Sequence, residues 1–130
     1  MPFIAITSHQ TVNGLPFGAT IADLERACGK ADEALENYTG EWELRYGESF
    51  YRFFANQLVE ATFPAACQFV INGVSILDVN RWLAEQTDTV DKAKFRISLN
   101  LGLAYDNRFS GHGSVTAFAA GRWDTLVIGN

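Results

Sequence analysis

Apolar residues recur along the chain with two spacings, and the switch between them divides it into elements. From Thr20, the residues Ile21, Leu24 and Cys28 fall on one face of a 3.6-residue helix. From Ser75, the residues Ile76, Val79 and Leu83 do the same. Thr20 and Ser75 read as N-caps whose hydroxyls accept free backbone N–H groups, with Asp23 and Asp78 as capping-box carboxylates three residues on. Gly29 closes the first helix and the second runs to about Gln86, which predicts helices over 20–29 and 75–86. On their outer faces Asp23–Arg26 and Asp78–Arg81 are solvated pairs three apart.

Beyond each helix the period becomes two. Trp42, Leu44 and Tyr46 alternate with Glu43 and Arg45, and Ile97, Leu99 and Leu101 alternate with Ser98 and Asn100. SFYRFF and LVEATF follow in the first half, LAYDNRF and VTAFAA in the second, and TLVIG closes the chain as a strand. FIAIT and QFVIN read as short strands just ahead of the helices. TIADLER and SILDVNR are written alike, and the same offset pairs Leu44 with Leu99, Gly47 with Gly102, Phe54 with Phe109 and Phe63 with Phe118. The expectation is an α+β fold: one domain, 1–130, of two tandem αβββ units (about 12–66 and 71–130), with antiparallel sheet packed against the helices.

The stretch FGATIADLERACGKAD, with WELRYGESFYRFFANQLVEATF after it, resembles the module of the SmpA/OmlA outer-membrane assembly lipoproteins. A tandem version of a similar module occurs in the β-lactamase inhibitory proteins. The resemblance spans about 17–63 and, more loosely, 71–128. It implies recognition of other proteins through the sheet. The chain opens without a basic segment, an apolar run or a small-residue cleavage site, so a cytoplasmic location is expected rather than the envelope.

Charge and chemistry narrow the classes. A net charge of −5 argues against nucleic acid and suits a basic protein partner. No apolar run approaches the ~20 residues of a membrane helix. Cys28 and Cys67 fit a reducing compartment, with Cys28 on the buried face of its helix. No metal, cofactor or catalytic motif is recognisable: His9 and His112 are far apart, and SGHGS, which sets His112 beside Ser114, reads as a hairpin tip. Glu41, Glu43, Glu48 and Glu60 read as surface strand residues rather than an acid–base pair.

Two functions fit this profile. The first is a non-enzymatic binding protein, specifically an immunity protein that neutralises a bacterial toxin, such as a basic toxin domain, by covering its active surface. The alternative is a small-molecule-binding or enzymatic NTF2-like pocket protein. Recognition must use what the alternation turns outward: Glu43, Arg45 and Glu60, with Tyr51 or Arg52 by register, then Asn100, Asp106 and the pair Trp123–Asp124. Trp123 reads either as a cap on the core or as an exposed aromatic anchor.

Overall fold

In the computed structural model, which describes residues 3–106 and 113–128, strands take 46% and helices 16%. The first half contains β1 (Phe3–Thr7), β2 (Thr11–Val12), β3 (Leu15–Pro16), α1 (Ile21–Cys28), β4 (Glu33–Glu36), β5 (Trp42–Tyr46), β6 (Ser49–Phe54) and β7 (Gln57–Pro64). The second contains β8 (Gln68–Ile71), β9 (Val74–Ile76), α2 (Val79–Ala84), β10 (Val90–Lys92), β11 (Phe95–Ser98), β12 (Leu103–Asp106), β13 (Ser114–Phe118) and α3 (Asp124–Ile128). Eight strands form one sheet in the order β10-β11-β12-β13-β7-β6-β5-β4. The other five form a smaller sheet, β3-β2-β1-β8-β9, whose centre is the parallel pair β1–β8.

The α+β expectation of two αβββ units is therefore corrected. The fold is sheet-dominated, its helices hold only eight, six and five residues, and each meander after a helix has four strands. The missing strands were β4 and β10, which lack apolar runs and sit at the two edges of the large sheet, where one flank needs no partner. TLVIG is corrected as well: its first four residues lie in α3. ISLNLG stops being a strand at Ser98, because residues 99–102 form a turn.

The caps divide along the same line. Thr20 makes a complete capping box with Asp23, and Gly29 ends α1 at φ +82°. Ser75 caps nothing. It lies in β9, and Asp78 accepts from the Arg81 N–H as the true N-cap of α2. Leu24, Ile76, Val79 and Leu83 are buried and Ile21 is partly so, but Cys28 is exposed, since α1 lies at the rim with a single fully buried residue.

The main core lies between one face of the large sheet (Leu44, Tyr51, Phe53, Leu58, Phe63, Leu103, Val115) and the smaller sheet with α1 and α2 (Ile4, Ile6, Phe69, Ile71, Leu24, Leu83). A second, smaller core lies on the opposite face, where Ile97, Ala104 and Phe118 pack beneath Trp123 and Val127. The offset that pairs Leu44 with Leu99 and Phe63 with Phe118 thus joins residues of different cores, because a strand's side chains change face at every residue. His9, at φ +62°, is set against the large sheet: its Nε2–H donates to the Leu99 carbonyl at 2.8 Å. Gly102 makes room for it, since a Cβ there would lie 2.9 Å from the imidazole. The expectations for His112 and Phe109 fall outside the described residues.

Candidate functional site: a charged face on the large sheet

Alternation on β5, β6 and β7 turns Glu43, Arg45, Phe50, Arg52, Glu60 and Thr62 away from the main core, and the register sets them side by side. Glu43 stands opposite Arg52, and Arg52 opposite Glu60. A bulge makes this possible. The pairing shifts between Arg52 and Phe53, leaving Val59 without a residue opposite it. Leu58 and Glu60, two apart, then face opposite sides, Leu58 into the main core and Glu60 into the charged face.

The carboxylates and guanidinium groups alternate along one chain of contacts. Arg45 meets Glu43 at 2.7 Å and lies 3.9 Å from Glu33. Arg52 donates to Glu43 at 2.6 Å and to Glu60 at 3.0 Å. Arg122, just ahead of α3, donates through Nε to Glu60 at 2.8 Å and through both Nη atoms to Glu41 at 2.8 and 3.0 Å. Glu60 is the hub. It is only 6% exposed, and it also accepts the Trp123 Nε1–H at 2.9 Å. A carboxylate this buried is retained only with donors on its lone pairs, and three side chains supply them.

The electrostatic consequences follow from those bonds. Hydrogen bonds from Arg122 hold the Glu41 carboxyl below the usual carboxylate range, against the opposing effect of its burial. The same bonds to Glu41, and then those to Glu60, push the Arg122 guanidinium up, so it is a fixed cation. Phe50 lies between two guanidinium groups, 5.6 Å from Arg45 and 5.5 Å from Arg52. A network with both signs and a central ring fixes long side chains that otherwise move freely.

Of the residues read from the sequence as outward, Glu43, Arg45, Arg52, Glu60 and Trp123 meet on this one face. Tyr51 does not. The register turns it into the main core, where it is 6% exposed and burial pushes its hydroxyl up to about 12. Asp106 is 7% exposed, on β12 opposite Ser114. Asn100 lies in the turn after β11, its N–H bonded to Asp88, and Asp124 is exposed in the first turn of α3. Trp123 is partly buried: it stacks on Phe118 at 5.2 Å, as a cap on the core does, while its N–H joins the network.

Arg122, Phe50, Leu35 and Tyr38 belong to this surface and were not singled out in the sequence. Arg122 was accessible to reasoning as the one cation beside Trp123 in the segment that breaks the repeat. Leu35 (46% exposed) and Tyr38 (fully exposed) sit on β4 and the turn after it, beside the charged rows. A cleft of about 280 Å³ lies between Leu35 and the network, lined by Leu35, Glu36, Asn37, Glu41, Glu43 and Arg52. Another, of about 200 Å³, lies by Asn80, Phe95 and Arg96. Both are below the ~300–1,000 Å³ of ordinary ligand pockets.

Among the described residues no group of three or more His, Cys, Asp or Glu is arranged to hold a metal ion, and no helix is long and apolar enough to cross a membrane. The chain matches no protein-family model, no curated protein and no solved structure.

Proposed function

We propose that this chain is a non-enzymatic protein-binding protein whose recognition surface is the outer face of β4–β7, and specifically an immunity protein that covers the active surface of a toxin in the cytoplasm. The observation that carries the reading is convergence. Four charged residues and one Trp turned outward by separate parts of the chain share a single network of fixed side chains, with Phe50 at its centre. Arg and aromatic residues dominate binding hot spots, and side chains already held in place lose little freedom when a partner docks. Alternating charge suits discrimination between partners, because a mismatched surface sets like charges together. The resemblance to the β-lactamase inhibitory proteins points to the same class.

The test is protection. The immunity reading requires a toxin domain encoded beside this chain's gene; bacteria producing that domain should grow when the chain is co-produced, and fail to grow with Phe50→Ala or Arg52→Glu. Each variant should keep the wild-type circular dichroism spectrum. If the unaltered chain neither protects nor forms a complex, the immunity reading is lost. If it protects and both variants protect equally, the face is wrong.

A further inference from the structure

Among the described residues β4 is the outermost strand of the large sheet, paired only with β5, and all four of its residues, Glu33 to Glu36, are exposed. The phase of its pairing is fixed by the Asn37 N–H, which donates to the Glu41 carbonyl at 2.8 Å. In an antiparallel ladder the bonded pairs alternate, so Leu35 also faces its backbone groups toward β5. Ala34 and Glu36 therefore turn their N–H and C=O groups to the open side. The strand carries no Pro, no Lys and no bulge, the usual protections of an edge. Charge is what guards it.

That charge selects the occupant. Glu33 shares the outer face with Leu35, opposite Arg45 and Glu43, while Ala34 and Glu36 lie on the other face, opposite Leu44 and Trp42. A second copy of this chain would bring Asp32, Glu33 and Glu36 against their own counterparts, like charge on like. A basic strand meets the opposite sign. We infer that β4 receives an extended strand of the partner protein, antiparallel, with the pattern basic–apolar–small–basic. The first basic residue stands opposite Glu36, the apolar one opposite Leu35, the small one opposite Ala34, and the second basic residue opposite Glu33. The apolar side chain falls on the outer face at the mouth of the cleft that Leu35 and Glu43 line. Tyr38, fully exposed in the β4–β5 turn, is two residues beyond the end of this pairing. This rests on the protein-binding reading and names the element that is bound.

The probe is a cyclic β-hairpin peptide whose outer strand reads Lys-Val-Thr-Arg, with a control carrying Glu at both basic positions. Both are titrated against the full chain at low ionic strength and followed by amide NMR. The basic hairpin should shift the amide signals of residues 32–38 and slow hydrogen exchange at Ala34 and Glu36. The acidic control should bind at least tenfold more weakly. The double variant Glu33→Lys, Glu36→Lys should reverse that preference, and Ala34→Pro should abolish binding with an unchanged circular dichroism spectrum. Equal binding of both hairpins overturns the proposal. So do shifts centred on Phe50 and Arg52, absence of shifts at millimolar peptide, or a dimer in sedimentation that Ala34→Pro dissolves. Protection lost in Phe50→Ala with no hairpin binding removes the edge and leaves the protein-binding reading; hairpin binding without protection does the reverse.

Discussion

The two halves of the large sheet's outer face are built from the same antiparallel meander and finished in opposite ways. Over β11, β12 and β13 that face is dry: Ile97, Ala104 and Phe118 lie under Trp123 and Val127, and Phe95 meets Trp123 edge-on at 5.1 Å. Over β5, β6 and β7 it is a lattice of Glu and Arg around Phe50. The seam is Trp123. Its ring belongs to the dry half and its N–H to the charged half. A covered face contributes hydrophobic stability and is closed to partners. A charged face contributes less, because each ion removed from water offsets much of the attraction it gains, and no helix covers it among the described residues.

Changes on either side of the seam should separate these contributions. The largest effect belongs to the dry half. Phe118→Ala empties a fully buried site and should cost ~3–5 kcal/mol in denaturant unfolding. A loss under 1 kcal/mol would mean that this half is not a core. Arg122→Ala comes next. It leaves Glu60 buried with fewer donors, and should cost ~2–3 kcal/mol, below the ~3–5 of a fully buried pair because the Arg122 side chain is 21% exposed. Trp123→Phe keeps the stacking and removes only the N–H to Glu60, so ~1–2 kcal/mol is expected. If it costs as much as Trp123→Ala, the hydrogen bond outweighs the ring.

The smallest effect is read through pH. The Glu41 pKa in the folded chain lies below its ordinary 4.5, so its contribution is complete above that value and is lost as the pH falls through the depressed folded one. Glu41→Gln should lower stability by ~1 kcal/mol at pH 7. The difference from the unaltered chain should shrink toward zero at acid pH. A difference that does not change with pH would show that the carboxylate's charge has no part in holding Arg122.

The sequence made the charged half easier to read than the dry one. In WELRYG, alternation set Glu43 and Arg45 outward correctly, because β5 is regular; SFYRFF was less decisive. It could not decide Tyr51 against Arg52, since every position there except Arg52 is aromatic or small enough to face either way. In the other half, Val115–Phe118 of VTAFAA are buried on both faces, so the period of two had no exposed side to show. TLVIG, β-branched and apolar, suggested a strand, yet the chain coils over Phe118 as α3, where tertiary packing outweighs local preference. Glu41 was visible but not its role. Its partner Arg122 lies near the other end of the chain, and no local pattern joins the two.

The parallel pair at the centre of the smaller sheet bears on the order in which the molecule assembles. β1 has β2 on one side, and on the other it waits for β8, with Phe3 opposite Gln68 and Ile6 opposite Ile71. As the chain emerges during synthesis, β1 precedes this neighbour, which follows only after α1 and β4–β7 have been made. β4–β7 can close their meander of hairpins locally, while β1 keeps one edge open until β8 exists. Non-local pairing of this kind slows folding and exposes unpaired edges on the way. β1 is thus made well before the strand it pairs with, and their parallel pairing is one of the long-range closures on which the fold depends.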